Sequence, residues 1–319
     1  DLPNISENEV PIIEIGSVES VFRRLDVVGE DDREPFIFQR QPDQSDPSEE
    51  FCNPIAFPAH RSPSNVQTDR PFDNFSLTAN VPTPPLAVRS FVRLVDARSA
   101  ATLIHSGASV VDARCAAAFA QGHLPGARLY AWQETTRDGS ARGRIVTDLR
   151  RLETYVSQLG VENGRPALVY GDGLRGWGEE GHAAWLLALL GHSDIAMLDG
   201  GFAAWTATGR PVVPNVEPCS AVGFSAIWRG NLIAPVSVVG SARQIIDVRS
   251  ASEFRGATPF GEARGGHIPS AVHLDWRRMF TEHGSFVTAD AMLRLVSDAG
   301  VDPALDAVVY CTCGVRSAL

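Results

Sequence analysis

Three short motifs occur twice in the chain, in the same order and at nearly constant spacing. Asp112-Ala113-Arg114 returns as Asp247-Val248-Arg249, Gly122-His123-Leu124-Pro125 as Gly266-His267-Ile268-Pro269, and Val169-Tyr170-Gly171 as Val309-Tyr310-Cys311. The offset is about 140 residues each time, the size of an ordinary domain. An ordered set repeated at that distance means that one fold occurs twice in tandem. Any architecture proposed for one half must therefore serve the other.

From about residue 87 onward, short β-branched runs alternate with helical-period segments, the pattern of a parallel sheet covered by helices. The runs are Ala108-Ser109-Val110-Val111-Asp112, Ala167-Leu168-Val169-Tyr170, Gln244-Ile245-Ile246-Asp247 and Ala307-Val308-Val309-Tyr310. Each is short, mostly apolar and runs into a polar or small residue, as strands buried on both faces do. The expected fold class is α/β, two domains each with a parallel sheet flanked by helices, spanning 87–215 and 216–319. Residues 1–86 read differently. Twelve of the 21 prolines and seven phenylalanines lie within the first 85 residues, beside acidic clusters such as Glu30-Asp31-Asp32. That composition resists forming its own core, so an extended Pro-rich acidic arm is expected, packed on a surface of this chain or of a partner protein.

Composition narrows the function classes. A net charge of −10 argues against a phosphate-backbone partner, which needs a basic face. All 28 basic residues are arginine, and without lysine neither Schiff-base chemistry nor a phosphate-loop lysine is available. The longest apolar helical stretch, Ala183 to Leu190, is far short of the roughly 20 residues that span a bilayer, so no membrane span is expected. Five scattered cysteines make no disulfide framework, and Cys52, Cys115 and Cys219 read as structural. The chain starts at Asp1 rather than Met, which points to an upstream segment removed and leans towards export over a cytoplasmic location.

At the repeated residues the chain resembles the rhodanese family: an Asp-x-Arg after a strand, a Gly-His-[Ile/Leu]-Pro turn, and a strand ending in Tyr-Cys that opens a six-residue loop. Leu198-Asp199-Gly200-Gly201-Phe202-Ala203-Ala204-Trp205 resembles the segment that closes such a domain. The resemblance covers about residues 87–319. It implies a tandem sulfurtransferase in which Cys311 carries the sulfur and Thr312, Cys313, Gly314, Val315, Arg316 and Ser317 form the substrate-binding loop. Gly171 holds the corresponding place in the first repeat and cannot form a thiolate, so that domain is expected to be catalytically silent. Two departures bear on the substrate. Thr312 and Cys313 stand where thiosulfate-using tandem enzymes often have basic residues, and Glu253 where mercaptopyruvate-using relatives tend to have arginine. The counterpart of Trp205 would fall beyond Leu319. The second domain is thus expected to be incomplete at its C-terminal end and completed by about 30 to 40 further residues or by another chain.

The chemistry asks for a thiolate, and a free cysteine of pKa about 8.5 supplies only a few per cent at neutral pH. A loop from a strand into a helix N-terminus would direct backbone N–H groups and a helix dipole at the sulfur. Cys311 would then take a sulfane sulfur from a small anionic donor such as thiosulfate, a persulfide or a mercapto-acid. It would pass it to a thiol or cyanide, with no metal or organic cofactor. Arg316 is expected to present its donor fork to the donor. The Asp-Arg pairs and the His123 and His267 turns recur in the silent repeat, which favours scaffold roles for them. Two alternatives stay open: a non-catalytic scaffold, and a cysteine phosphatase, whose loop is Cys-x5-Arg where this one is Cys-x4-Arg.

Overall fold

The computed structural model describes residues 12–15, 92–136, 144–215, 222–234, 236–262 and 264–319. The arm expected over 1–86, apart from 12–15, lies outside the described residues, as do Cys52 and Cys219. The elements in chain order are β1 (Ile12–Ile15), β2 (Val92–Val95), α1 (Ala97–His105), β3 (Ser109–Asp112), α2 (Ala116–Gln121), β4 (Ala127–Leu129), α3 (Leu149–Gln158), β5 (Ala167–Tyr170), α4 (Glu179–Leu189), β6 (Ile195–Leu198), α5 (Gly201–Ala207), α6 (Val236–Val239), β7 (Ile245–Asp247), α7 (Ala251–Phe254), β8 (Val272–His273), α8 (Ala289–Asp298) and β9 (Ala307–Tyr310).

The first repeat is a five-stranded sheet, order β2-β6-β5-β3-β4, parallel throughout. β3, β5 and β6 are buried along their whole length, which explains the apolar runs of β5 and β6 and the Val110-Val111 pair of β3. Successive residues serve opposite faces: Val110, Leu168 and Ala196 pack with α1 and α5, while Val111, Val169 and Ile195 pack with α3 and α4. Helix starts follow local chemistry, with Asp96 and Asp148 accepting from backbone N–H groups of α1 and α3.

The second repeat has a four-stranded sheet, order β1-β9-β7-β8. β7, β8 and β9 are parallel, and their register repeats that of β3, β4 and β5. The remaining edge of β9 is taken by β1, antiparallel, from Ile12 opposite Tyr310 to Ile15 opposite Ala307. In the first repeat the equivalent edge of β5 is taken by the parallel β6. A short piece of the N-terminal segment thus supplies the strand position that the second repeat's own residues leave open.

The repeated motifs form one lock, built twice. Arg114 grips Asp112 at 2.6 Å and the Gly122 carbonyl at 2.8 Å, and Arg249 grips Asp247 at 2.6 Å and the Gly266 carbonyl at 2.7 Å. The Tyr170 and Tyr310 hydroxyls donate to these carboxylates and accept from the N–H of Leu124 and Ile268. His123 and His267 stack on Phe119 and Phe254 and bond the carbonyls of those residues. Each strand end is thereby tied to the turn that follows its helix, a scaffold role in both repeats.

Candidate active site

β9 ends at Tyr310, and Cys311 opens the loop with 3 % of its surface exposed. Its Sγ accepts from the Gly314 N–H at 3.1 Å and from the Ser317 hydroxyl at 3.5 Å. The curl that turns the Gly314 N–H onto the sulfur needs φ of 81° there, a conformation that glycine adopts without strain. After Val315 comes a 3-10 turn, Arg316–Ala318. Among the described residues, charge on sulfur is supported by the Gly314 N–H, the Ser317 hydroxyl and the Arg316 charge, whose field meets Cys311.

Arg316 does not stand free. Its Nη1 and Nη2 donate to the two Glu253 carboxylate oxygens at 2.7 and 2.8 Å, and Nη2 also donates to Thr312 Oγ1 at 2.8 Å. Thr312 in turn donates to Glu253 Oε1 at 3.1 Å, which closes a triangle across both limbs of the loop. Burial alone would raise the Glu253 carboxyl, but the Arg316 guanidinium overrides it and holds the group down to about 2. The expected fork for a donor is thus taken by a buried carboxylate, because an arginine at 5 % exposure requires a counter-charge. Gly314, Val315 and Ser317 are buried with it, while Thr312 and Cys313 remain half-buried and face outward most among the loop residues. Cys115, expected to be structural, is exposed at the start of α2 and packs in no core.

The first repeat reaches into this site. Trp177 lies with its ring centroid 5.5 Å from the Arg316 guanidinium, Phe260 of the second repeat at 5.7 Å, and the two rings meet edge to face. Gly171 follows β5 as Cys311 follows β9, and the Glu180 carboxylate stands beside it, where a Cβ at position 171 would come within 2.3 Å of Oε2. Glu180 is 4 % exposed and its Oε2 has no hydrogen-bond partner. Burial, then the charge of Glu179, pushes this carboxyl up to about 8. Sequence reasoning missed both glutamates' roles. Glu253 had left a trace in the Ser250-x-x-Glu253 capping box, whereas nothing local marks Glu180 as turning back on Gly171. Among the described residues no group of three or more His, Cys, Asp or Glu side chains could hold a metal ion, and no helix is long and apolar enough to cross a membrane.

The family model of the rhodanese-like domain matches residues 93–208 and again 236–319. The chain belongs to the rhodanese-like family. Thiosulfate sulfurtransferase of Corynebacterium glutamicum is 33% identical to it over 212 residues, covering 62% of this chain and 68% of that one. A putative thiosulfate sulfurtransferase of Saccharopolyspora erythraea is 31% identical over 212 residues, 63% of this chain and 74% of its own. Among solved structures, SseA of Escherichia coli, described with the 3-mercaptopyruvate sulfotransferases, shares the fold at TM-score 0.64 and 24% identity over 70% of this chain and 90% of its own. Wild-type EanB shares it at TM-score 0.60 and 18% identity over 70% and 61%. Two matched segments, together with relatives of that name, make this rhodanese-like chain a sulfurtransferase.

Proposed function

We propose that this sulfurtransferase works through a persulfide on Cys311, and that the 87–215 repeat takes no sulfur itself. The observation that carries the reading is the bond from the Gly314 N–H to the Cys311 sulfur, within a loop whose other anchor, Arg316, adds positive field. A thiolate held this way attacks the outer sulfur of a donor. The new bond runs from Sγ to that sulfur, the donor's own bond to it breaks, and the electron pair departs with the remainder of the donor. With thiosulfate, the donor in the name of the Corynebacterium relative, the leaving group is sulfite; a persulfide or mercapto-acid would serve the same step. A thiol or cyanide then attacks the bound sulfur and restores the thiolate. No metal or organic cofactor is needed in either half.

Thr312 and Cys313 contact the incoming molecule in this reading, and Gly314, Val315, Arg316 and Ser317 frame the sulfur. The test is intact-protein mass spectrometry after incubation with thiosulfate or a persulfide, followed by turnover assays. The expected result is one added sulfur, mapped to Cys311, with no transfer by Cys311→Ser and retained transfer by Cys313→Ser. Sulfur on Cys313, or none on the protein with any donor, overturns the reading. The second outcome would favour a scaffold.

A further inference from the structure

The charge balance around Cys311 bears on which donor the loop accepts. Arg316 is the only basic residue from Cys311 to Arg316, and the chain has no lysine. Its guanidinium meets a carboxylate on two nitrogens, a hydroxyl on one of them, and an aromatic ring from each repeat. The side chains of Arg316 and Glu253 are only 6% and 3% exposed, so water does little to screen one from the other. Such a pair keeps the Arg316 field on the adjacent sulfur but presents a dipole, where a lone arginine would present a full charge, to a donor that arrives beyond it. Arg249, the other buried arginine of this repeat, is likewise neutralised by Asp247. Thiosulfate is a dianion and releases a dianion. It would have to leave water for a site whose cation is already compensated. A hydropersulfide carries at most one charge on its sulfurs, and its carbon part suits the Trp177 and Phe260 rings, the latter 42% exposed.

Resting on the Cys311 reading, we propose that Glu253 sets donor specificity: by neutralising Arg316 it selects hydropersulfides of low charge over dianionic thiosulfate. Glu253 acts through Arg316 and is a positioning residue. In the favoured step the Cys311 thiolate attacks the terminal sulfur of R–S–SH. The bond from Sγ to that sulfur forms as the S–S bond breaks, the electron pair leaves as RS⁻, and the proton stays on the transferred sulfur. No outside oxidant or reductant enters.

The experiment compares kcat/KM for thiosulfate and for an uncharged alkyl hydropersulfide generated in situ. The full chain is used as wild type, Glu253→Gln, Glu253→Asp and the double variant Glu253→Leu/Arg316→Met. Wild type is expected to favour the hydropersulfide. Unmasking one charge near the sulfur in Glu253→Gln should raise the thiosulfate-to-hydropersulfide ratio by about tenfold and make the thiosulfate rate more sensitive to salt. Glu253→Asp, which keeps the charge, should keep the wild-type ratio, and so should the double variant, whose net charge at the pair is unchanged. A wild type that favours thiosulfate, or a Glu253→Gln that slows both donors equally, overturns the proposal. If Glu253→Gln does not fold, a raised ratio in the double variant overturns it and an unchanged one supports it. A Cys311 persulfide formed with an unmoved ratio sinks only the selectivity, whereas absence of that persulfide with both donors sinks the underlying reading.

Discussion

Gly171 and Glu180 together account for a repeat that keeps the loop and lacks the nucleophile. A side chain at 171 would meet the Glu180 carboxylate at 2.3 Å and its Cδ at 2.7 Å, so the room for a thiol has been given to an acid on the first turn of α4. That acid has a measurable consequence. The folded state holds the Glu180 proton up to a pKa of about 8, whereas an unfolded glutamate releases it near 4.5. Between those values the native state binds more protons than the unfolded one, so this group's contribution makes stability fall as pH rises, and the loss is complete above about 8. Glu180→Gln imitates the protonated acid. Urea unfolding should find the variant gaining on wild type from pH 5 to pH 9; a difference that is flat with pH would mean that Glu180 is ionised throughout. At this scale the place of Cys311 at the end of β9 was legible, because Tyr310-Cys311 closes an apolar run. Glu180 was not, since its meaning comes from a contact nine residues back that no spacing rule describes.

Among the elements, α7 has the largest task for its length. Its cap is reciprocal: Ser250 Oγ accepts from the Glu253 N–H at 3.3 Å, and Glu253 Oε2 accepts from the Ser250 N–H at 3.0 Å and from its hydroxyl at 2.7 Å. The same carboxylate holds Arg316 and Thr312, so the helix cap and the active loop share one anchor. Ser250→Ala should therefore do more than cost the usual ~1 kcal/mol of a lost cap. The expected result is that modest destabilisation together with faster alkylation of Cys311, because Glu253 loses one of its orienting bonds. Destabilisation with unchanged alkylation would show that Arg316 alone orients the carboxylate. Four strands, β3, β5, β7 and β9, were legible from their apolar runs. The pairing of β1 with β9 was not: Ile12-Ile13-Glu14-Ile15 gives no sign of which edge it will join or in which direction.

For the paired repeats, the question is what a domain with Gly171 in place of the cysteine does for its neighbour, and the contacts between them give a physical answer. Leu174, in the first repeat's loop after β5, packs into the second repeat's core with Trp276 and Phe280. The Phe286 N–H donates to Asp199 at 2.7 Å, and α4 lies against the 3-10 turn that follows the active loop. Motif matching could foresee two copies but not that the loops of both would meet, since that depends on surfaces with no periodic signal. The tightest point is Gly181, in the first turn of α4, where a Cβ would fall 2.5 Å from the Leu319 Cα. By helix propensity alone Gly181→Ala should stabilise the chain by up to about 1 kcal/mol. The approach to Leu319 argues the reverse. Backbone cannot yield as a flexible side chain can, so the added methyl must push α4 from the turn that carries Arg316 and Ser317, with a cost on the order of 1–3 kcal/mol. The expected outcome is a lower melting temperature and weaker sulfur transfer in Gly181→Ala, although the substitution lies in the repeat without a nucleophile. A variant that melts higher and transfers sulfur as well as wild type would show that the contact is loose and that the silent repeat does not brace the active loop through α4.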